Sequence, residues 1–272
     1  MTQDPTNTPG KLPWHLAAMA GVWLVLALWT TLAGRLGCAA ALPLVLVLWV
    51  LIFLAGCETA LLRRHLFIRA CLRPHGRLAR WLGRRLFLYS WQGVKSLALA
   101  LILVVALLLL NPSQWLFLLF DILVLGALLW LLNRLLRDEV IVQYQAALAR
   151  TWARRINAIF VWLGLLVSLL FTARDDYYGV GFSEALRHGA ARVELGCDAL
   201  AILARTGALL ETASWWTAQH LFAGLEGMPV TLAWLGFIAA FGLSFLLAWA
   251  YSGVLGGVMA RPWRFTSPGG NP

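Results

Sequence analysis

Residues 63–95 read RRHLFIRACLRPHGRLARWLGRRLFLYSWQGVK, and the fold follows from how that stretch is placed. Arg63, Arg64, Arg69, Arg73, Arg77, Arg80, Arg84, Arg85 and Lys95 stand there without one acidic side chain, between two apolar runs each long enough to cross a bilayer. Lys and Arg beside a span hold that end in the cytoplasm, so the block fixes its own side and the direction of the runs on either side.

Composition agrees with a membrane chain. Of 272 residues 61% are hydrophobic and 12% charged, with mean hydropathy +0.77, whereas a soluble domain carries about 25% charged residues. The formal charge of +10 sits at the ends of apolar segments and not on one solvated face. That pattern argues against nucleic acid and for topology and anionic lipid. Many of the 15 tryptophans, such as Trp14, Trp91, Trp115, Trp130 and Trp152, fall near the ends of runs, as in an interfacial belt.

Working outward from the block, a Pro- and Thr-containing tail over 1–12 reads as a disordered lead, and 13–62 reads as a first transmembrane hairpin with its turn at 34–37. Its first run is too long for a signal-peptide core and reads as retained. Leu54-Ala55-Gly56-Cys57 has the form of a lipoprotein cleavage site, but lipidation of Cys57 would carry the basic block outside. Within 63–95, Leu78, Trp81, Leu82, Leu86 and Tyr89 recur at steps of three and four, while Arg73, Arg77, Arg80 and Arg84 make a separate stripe. An amphipathic helix in the cytoplasmic interface is expected, its arginines on lipid phosphates; the alternative is a solvated helix packed on a partner protein.

A second hairpin is expected over 96–132, turned at Asn111-Pro112, a favourable helix start. Residues 133–155 read as a helical cytoplasmic connection packed on the membrane or the basic loop, and 156–173 as a fifth span. From 174 to 229 the balance turns acidic, and a stripe of small and apolar residues predicts one or two extracytoplasmic helices with Gly207 a break. A sixth span over 230–258, rich in glycine, is expected at the bundle centre or an oligomer face, before a cytoplasmic tail at 259–272. With six spans and both ends inside, every Lys and Arg except Arg35, Arg174, Arg187, Arg192 and Arg205 lies on the cytoplasmic side. The expected fold is therefore all-α: a bundle of six transmembrane helices with an amphipathic cytoplasmic interfacial helix and a helical extracytoplasmic segment, in a bacterial-type inner membrane.

Asp121 is the sharpest polar signal, well inside the fourth run, where a charge costs roughly +2.5 to +3.5 kcal/mol. It reads either as a proton or cation site or as a neutral carboxyl bonding between helices, with Thr30, Ser168 and Ser244 the nearest partners by depth. Glu58, with Lys95 at similar depth and Arg63 further on, reads as an anchoring ion pair or a snorkelled carboxylate. Cys38 and Cys197 would both lie outside, where a disulfide is permitted, while Cys57 and Cys71 would lie near the reducing cytoplasm. The five histidines form no zinc motif, and no nucleotide loop or nucleophile elbow is present, so no catalytic residue, metal or cofactor is expected.

Three functions stay open. The first is a non-enzymatic subunit or scaffold of a membrane complex that binds membrane-protein partners, a second copy of itself or anionic lipid. The second is a small-ion or solute transporter using Asp121. The third is a lipid-modifying enzyme, which would need Asp175, Asp176 and His188 or His220 to converge.

Overall fold

The computed structural model describes residues 12–33, 38–71, 85–171, 176–193, 197–223 and 230–260. Every element among them is a helix: α1 (Leu12–Leu32), α2 (Cys38–Cys71), α3 (Arg85–Leu108), α4 (Pro112–Leu135), α5 (Val142–Phe171), α6 (Phe182–Ala191), α7 (Asp198–Ala223) and α8 (Val230–Met259). In a bilayer core only a helix satisfies its own backbone donors and acceptors, so long apolar runs have little alternative. Segments 13–32, 40–64, 88–108, 112–135 and 241–259 are long and apolar enough to cross a membrane. The described residues thus form an all-helical structure with five candidate membrane-spanning helices. The fifth run is not among these segments; Arg150, Arg154 and Arg155 lie in the first half of α5.

The bundle is arranged around α8, which packs on α5, α2, α7, α3 and α1. Small residues let it in. A Cβ on Gly257 would meet the Leu51 backbone, with the carbonyl carbon 2.6 Å away, and one on Gly253 would touch Ile52 at an ordinary 3.5 Å. Helices α4 and α5 run antiparallel: Gln114 bonds Ser168 near one end, and Gln145 bonds the Asn133 carbonyl near the other. Asn111 starts α4 as expected, its N–H donating to Gln114 Oε1 at 3.0 Å. The centre is leucine-rich, with Leu26, Leu48, Leu103, Leu107, Leu118, Leu125 and Leu255 almost wholly buried.

Several boundaries differ from the sequence reading. Helix α2 continues past 62 to Cys71 and α3 begins at Arg85, so the ends of the basic stretch extend the two flanking helices. Leu86 and Tyr89, read with an interfacial helix, belong to α3. The rest of that helix, with Arg73, Arg77, Arg80 and Arg84, lies outside the described residues. The connection 133–155 is not a surface helix: α5 is continuous from Val142, and its Gln145, Ala149, Thr151 and Ala153 are buried in the bundle. Its small residues permit that burial.

At one end α6 and α7 pack together as a cap. Trp216 Nε1 donates to the Val180 carbonyl at 2.9 Å, and Phe182 meets the Trp216 ring edge-on. Helix α6 ends at Ala191 and α7 begins at Asp198, and Gly207, read as a break, is inside α7. There the missing side chain admits Val105 of α3 and Leu109 just beyond its end, which a Cβ would approach at 3.1 and 3.0 Å. Cys197, just ahead of α7, is disulfide-bonded to Cys38 at the start of α2, with Cα atoms 4.9 Å apart. This disulfide end is the reference for position along the bundle below.

Candidate functional site

Polar side chains inside the bundle gather on one stripe of α5. Arg150, Arg154 and Asn157 follow at steps of four and three, so they share a helix face over about 10 Å of rise. That face meets α2, α4 and α8. Farthest from the disulfide end, Arg150 pairs with Glu58 of α2, Nε lying 3.0 and 3.4 Å from its two carboxylate oxygens. Glu58 is buried, so the pair compensates two desolvated charges.

One turn on, Arg154 Nη2 donates to Thr59 Oγ1 at 3.0 Å, and its guanidinium lies 5.8 Å from the Trp249 ring centre on α8. Thr59 in turn donates to the Ala55 carbonyl at 3.1 Å. A further turn on, Asn157 reaches the middle of the bundle. Its Nδ2 donates to Asp121 Oδ2 on α4 at 3.0 Å and to Ser252 Oγ on α8 at 3.3 Å. Asp121, Asn157 and Ser252 are all fully buried. The neighbouring Tyr251 donates its hydroxyl to the Leu118 carbonyl at 2.8 Å, tying α8 to α4 again.

Toward the disulfide end the stripe stops: Leu26, Leu48, Leu103, Val104, Leu107, Val161 and Leu165 are buried around the axis, and the buried Gln114, bonded to Ser168, stands apart from the stripe near that end. The polar path is therefore open toward one end of the bundle in its chemistry and closed toward the other.

Glu58 bonds Arg150, a residue 92 positions away, in place of the expected Lys95 or Arg63; Lys95 is exposed on α3. Asp121 bonds Asn157 in place of Thr30 or Ser168, which donate to the Ala27 and Leu165 carbonyls of their own helices. Asn157 and Ser252 were not read as site residues. Asn157 lies two positions after Arg155 and looks like the edge of a charged loop, and Ser252 is one small residue among glycines. The available signal was their helical phase with Arg154 and Gly256.

In the cap, the turn at 176–178 lies beside the end of α7, where the Tyr177 N–H donates to Gln219 Oε1 at 3.0 Å. Asp176 Oδ1 accepts the Tyr178 N–H at 2.9 Å, and His220 stacks on Trp216 with Nδ1 on the Trp216 carbonyl. His188 is exposed at the end of α6, and Asp175 lies outside the described residues. Among the described residues no three His, Cys, Asp or Glu side chains are grouped as metal ligands.

No family model, no curated protein and no solved structure matches this chain. Fold and site together define a helical membrane protein with a buried polar stripe joining four of its helices.

Proposed function

We propose that the chain is a non-enzymatic subunit or scaffold of a membrane complex, multi-pass in a bacterial-type inner membrane, with both ends cytoplasmic. The observation that carries this reading is the division of labour between inside and surface. The buried Glu58, Arg154, Asp121 and Asn157 each bond another side chain of the bundle, while α7 turns Ile202, Leu203 and Leu210 outward with 64, 43 and 45% of their surface exposed. These lie at spacings that place them on one face of a helix. Exposed apolar area on an extracytoplasmic cap suits a partner membrane protein.

A sixth span, α5, is part of the proposal. What supports it is its antiparallel packing along α4 and α8, both of which carry candidate spans. The basic stretch 63–95 then faces the cytoplasm and binds anionic headgroups. The disulfide fits this sidedness, since Cys38 and Cys197 fall outside, where thiols oxidise. Passage of ions or solutes, the other role read for Asp121, is disfavoured by the leucine-filled half of the bundle that a permeant species would have to cross.

A photoreactive amino acid placed at Leu203 tests the reading in native membranes. The expected product is one discrete protein adduct, absent when the same probe replaces Ile52 in the core. Adducts with lipid alone would overturn the subunit assignment.

A further inference from the structure

We propose that Asp121 carries a proton in the folded protein at neutral pH and shares it with Asn157, the two side chains forming a two-point acid–amide pair inside the bundle. The argument is a count of donors and acceptors. Both amide hydrogens of Asn157 are spent, one on Asp121 Oδ2 and one on Ser252 Oγ. Two oxygens are left with no partner in full burial: Asp121 Oδ1 and Asn157 Oδ1.

An ionised carboxylate only accepts, and so does an amide oxygen, so with Asp121 charged these two atoms are orphaned acceptors in hydrocarbon. One proton on Asp121 Oδ1 resolves both. The acid O–H donates to Asn157 Oδ1 while Asn157 Nδ2 donates to Asp121 Oδ2, closing a ring of two hydrogen bonds. The step moves one proton from hydronium in the bulk to Asp121 Oδ1, breaking one O–H bond of hydronium and forming that of the acid, and leaves a water molecule.

Among the described residues no cation on the surrounding helices takes the place of the proton. From α8 the neighbours are Tyr251, whose hydroxyl is committed to the Leu118 carbonyl, and Ser252. On α5 the nearest charge is Arg154, three residues before Asn157 and committed to Thr59 and the Trp249 face; on α2, Glu58 is held by Arg150. Helix α1 meets α4 with Leu16 against Gly126, leaving His15 nearer the Arg150 end, and contributes the fully buried Met19. Helix α3 offers the buried Ser96, which donates to the Gln92 carbonyl, and keeps Lys95 exposed.

The test uses the purified full chain in vesicles of phosphatidylcholine. Infrared difference spectra at neutral pH should contain the carbonyl stretch of a protonated carboxylic acid, shifted in heavy water and missing from D121N. The D121N amide offers a donor where the acid had one and an acceptor where Asn157 Nδ2 needs one. Its melting should therefore follow the native chain and not N157L, which deletes the pair. Absence of a protonated band that D121N removes would overturn the proposal. So would a D121N protein that melts with N157L or fails to assemble.

Discussion

Asn157 and Glu58 show how differently two buried polar residues are held. Asn157→Leu removes both donors that reach Asp121 and Ser252 and leaves a buried carboxyl without its partner. A loss of roughly 1–3 kcal/mol is expected, read from reversible unfolding in mixed detergent. Glu58→Gln strands Arg150 and should cost about 3–5 kcal/mol, whereas replacing both by apolar residues of similar volume should restore most of that loss. A double-mutant cycle at 58 and 150 measures the difference; a loss in the double variant equal to the sum of the two single losses would show the ion pair to be without effect. At this scale the sequence was legible where chemistry is rare. Asp121 stands out in any apolar run. Its partner does not, because pairing depends on the rotation of α5 against α4, and depth along the chain carries no information about rotation.

The glycines of α8 do not all matter equally. Gly257→Ala would press a methyl group onto the Leu51 backbone, which cannot swing aside, and should lower stability by about 1–3 kcal/mol. Gly253→Ala, facing only the flexible Ile52 side chain at contact distance, should melt within experimental error of the native chain. Thermal melts of the two variants side by side check this contrast. The glycine-rich last run was readable as an inner helix from composition alone, because small residues are how helices approach in lipid. Gly207 was misread for a related reason. A glycine marks either a break or a close contact, and only the neighbour, here Val105 and Leu109, tells which. Helix α5 was divided at Ile156 because arginines next to an apolar run look like a loop; the bundle accepts them through Glu58 and Thr59.

Across the whole molecule, the disulfide joins elements 159 residues apart and is the one covalent link between the α6–α7 cap and the first half of the bundle among the described residues. Cys38→Ser should cost about 2–5 kcal/mol, and hydrogen exchange should quicken first in α6 and the beginning of α7, which the linkage anchors. Uniform exchange across the chain would place the cap's stability in its aromatic contacts instead. The all-helical class and the basic block were legible because hydropathy and charge are summed over many residues. The number of crossings was less so, since it turns on one helix, α5, whose two halves obey different rules.

The placement of α8 also bears on how the polypeptide is assembled as it leaves the ribosome. Helices are threaded into the bilayer in order of synthesis, yet the one that α2, α3, α5 and α7 all lean on emerges after them. Until it arrives, the faces of α2 and α5 that will hold glycine stand exposed, and Asn157 has no Ser252 to meet. A nascent chain stopped before residue 230 is thus a ring without its hub, the kind of intermediate that membrane quality-control proteases recognise and remove.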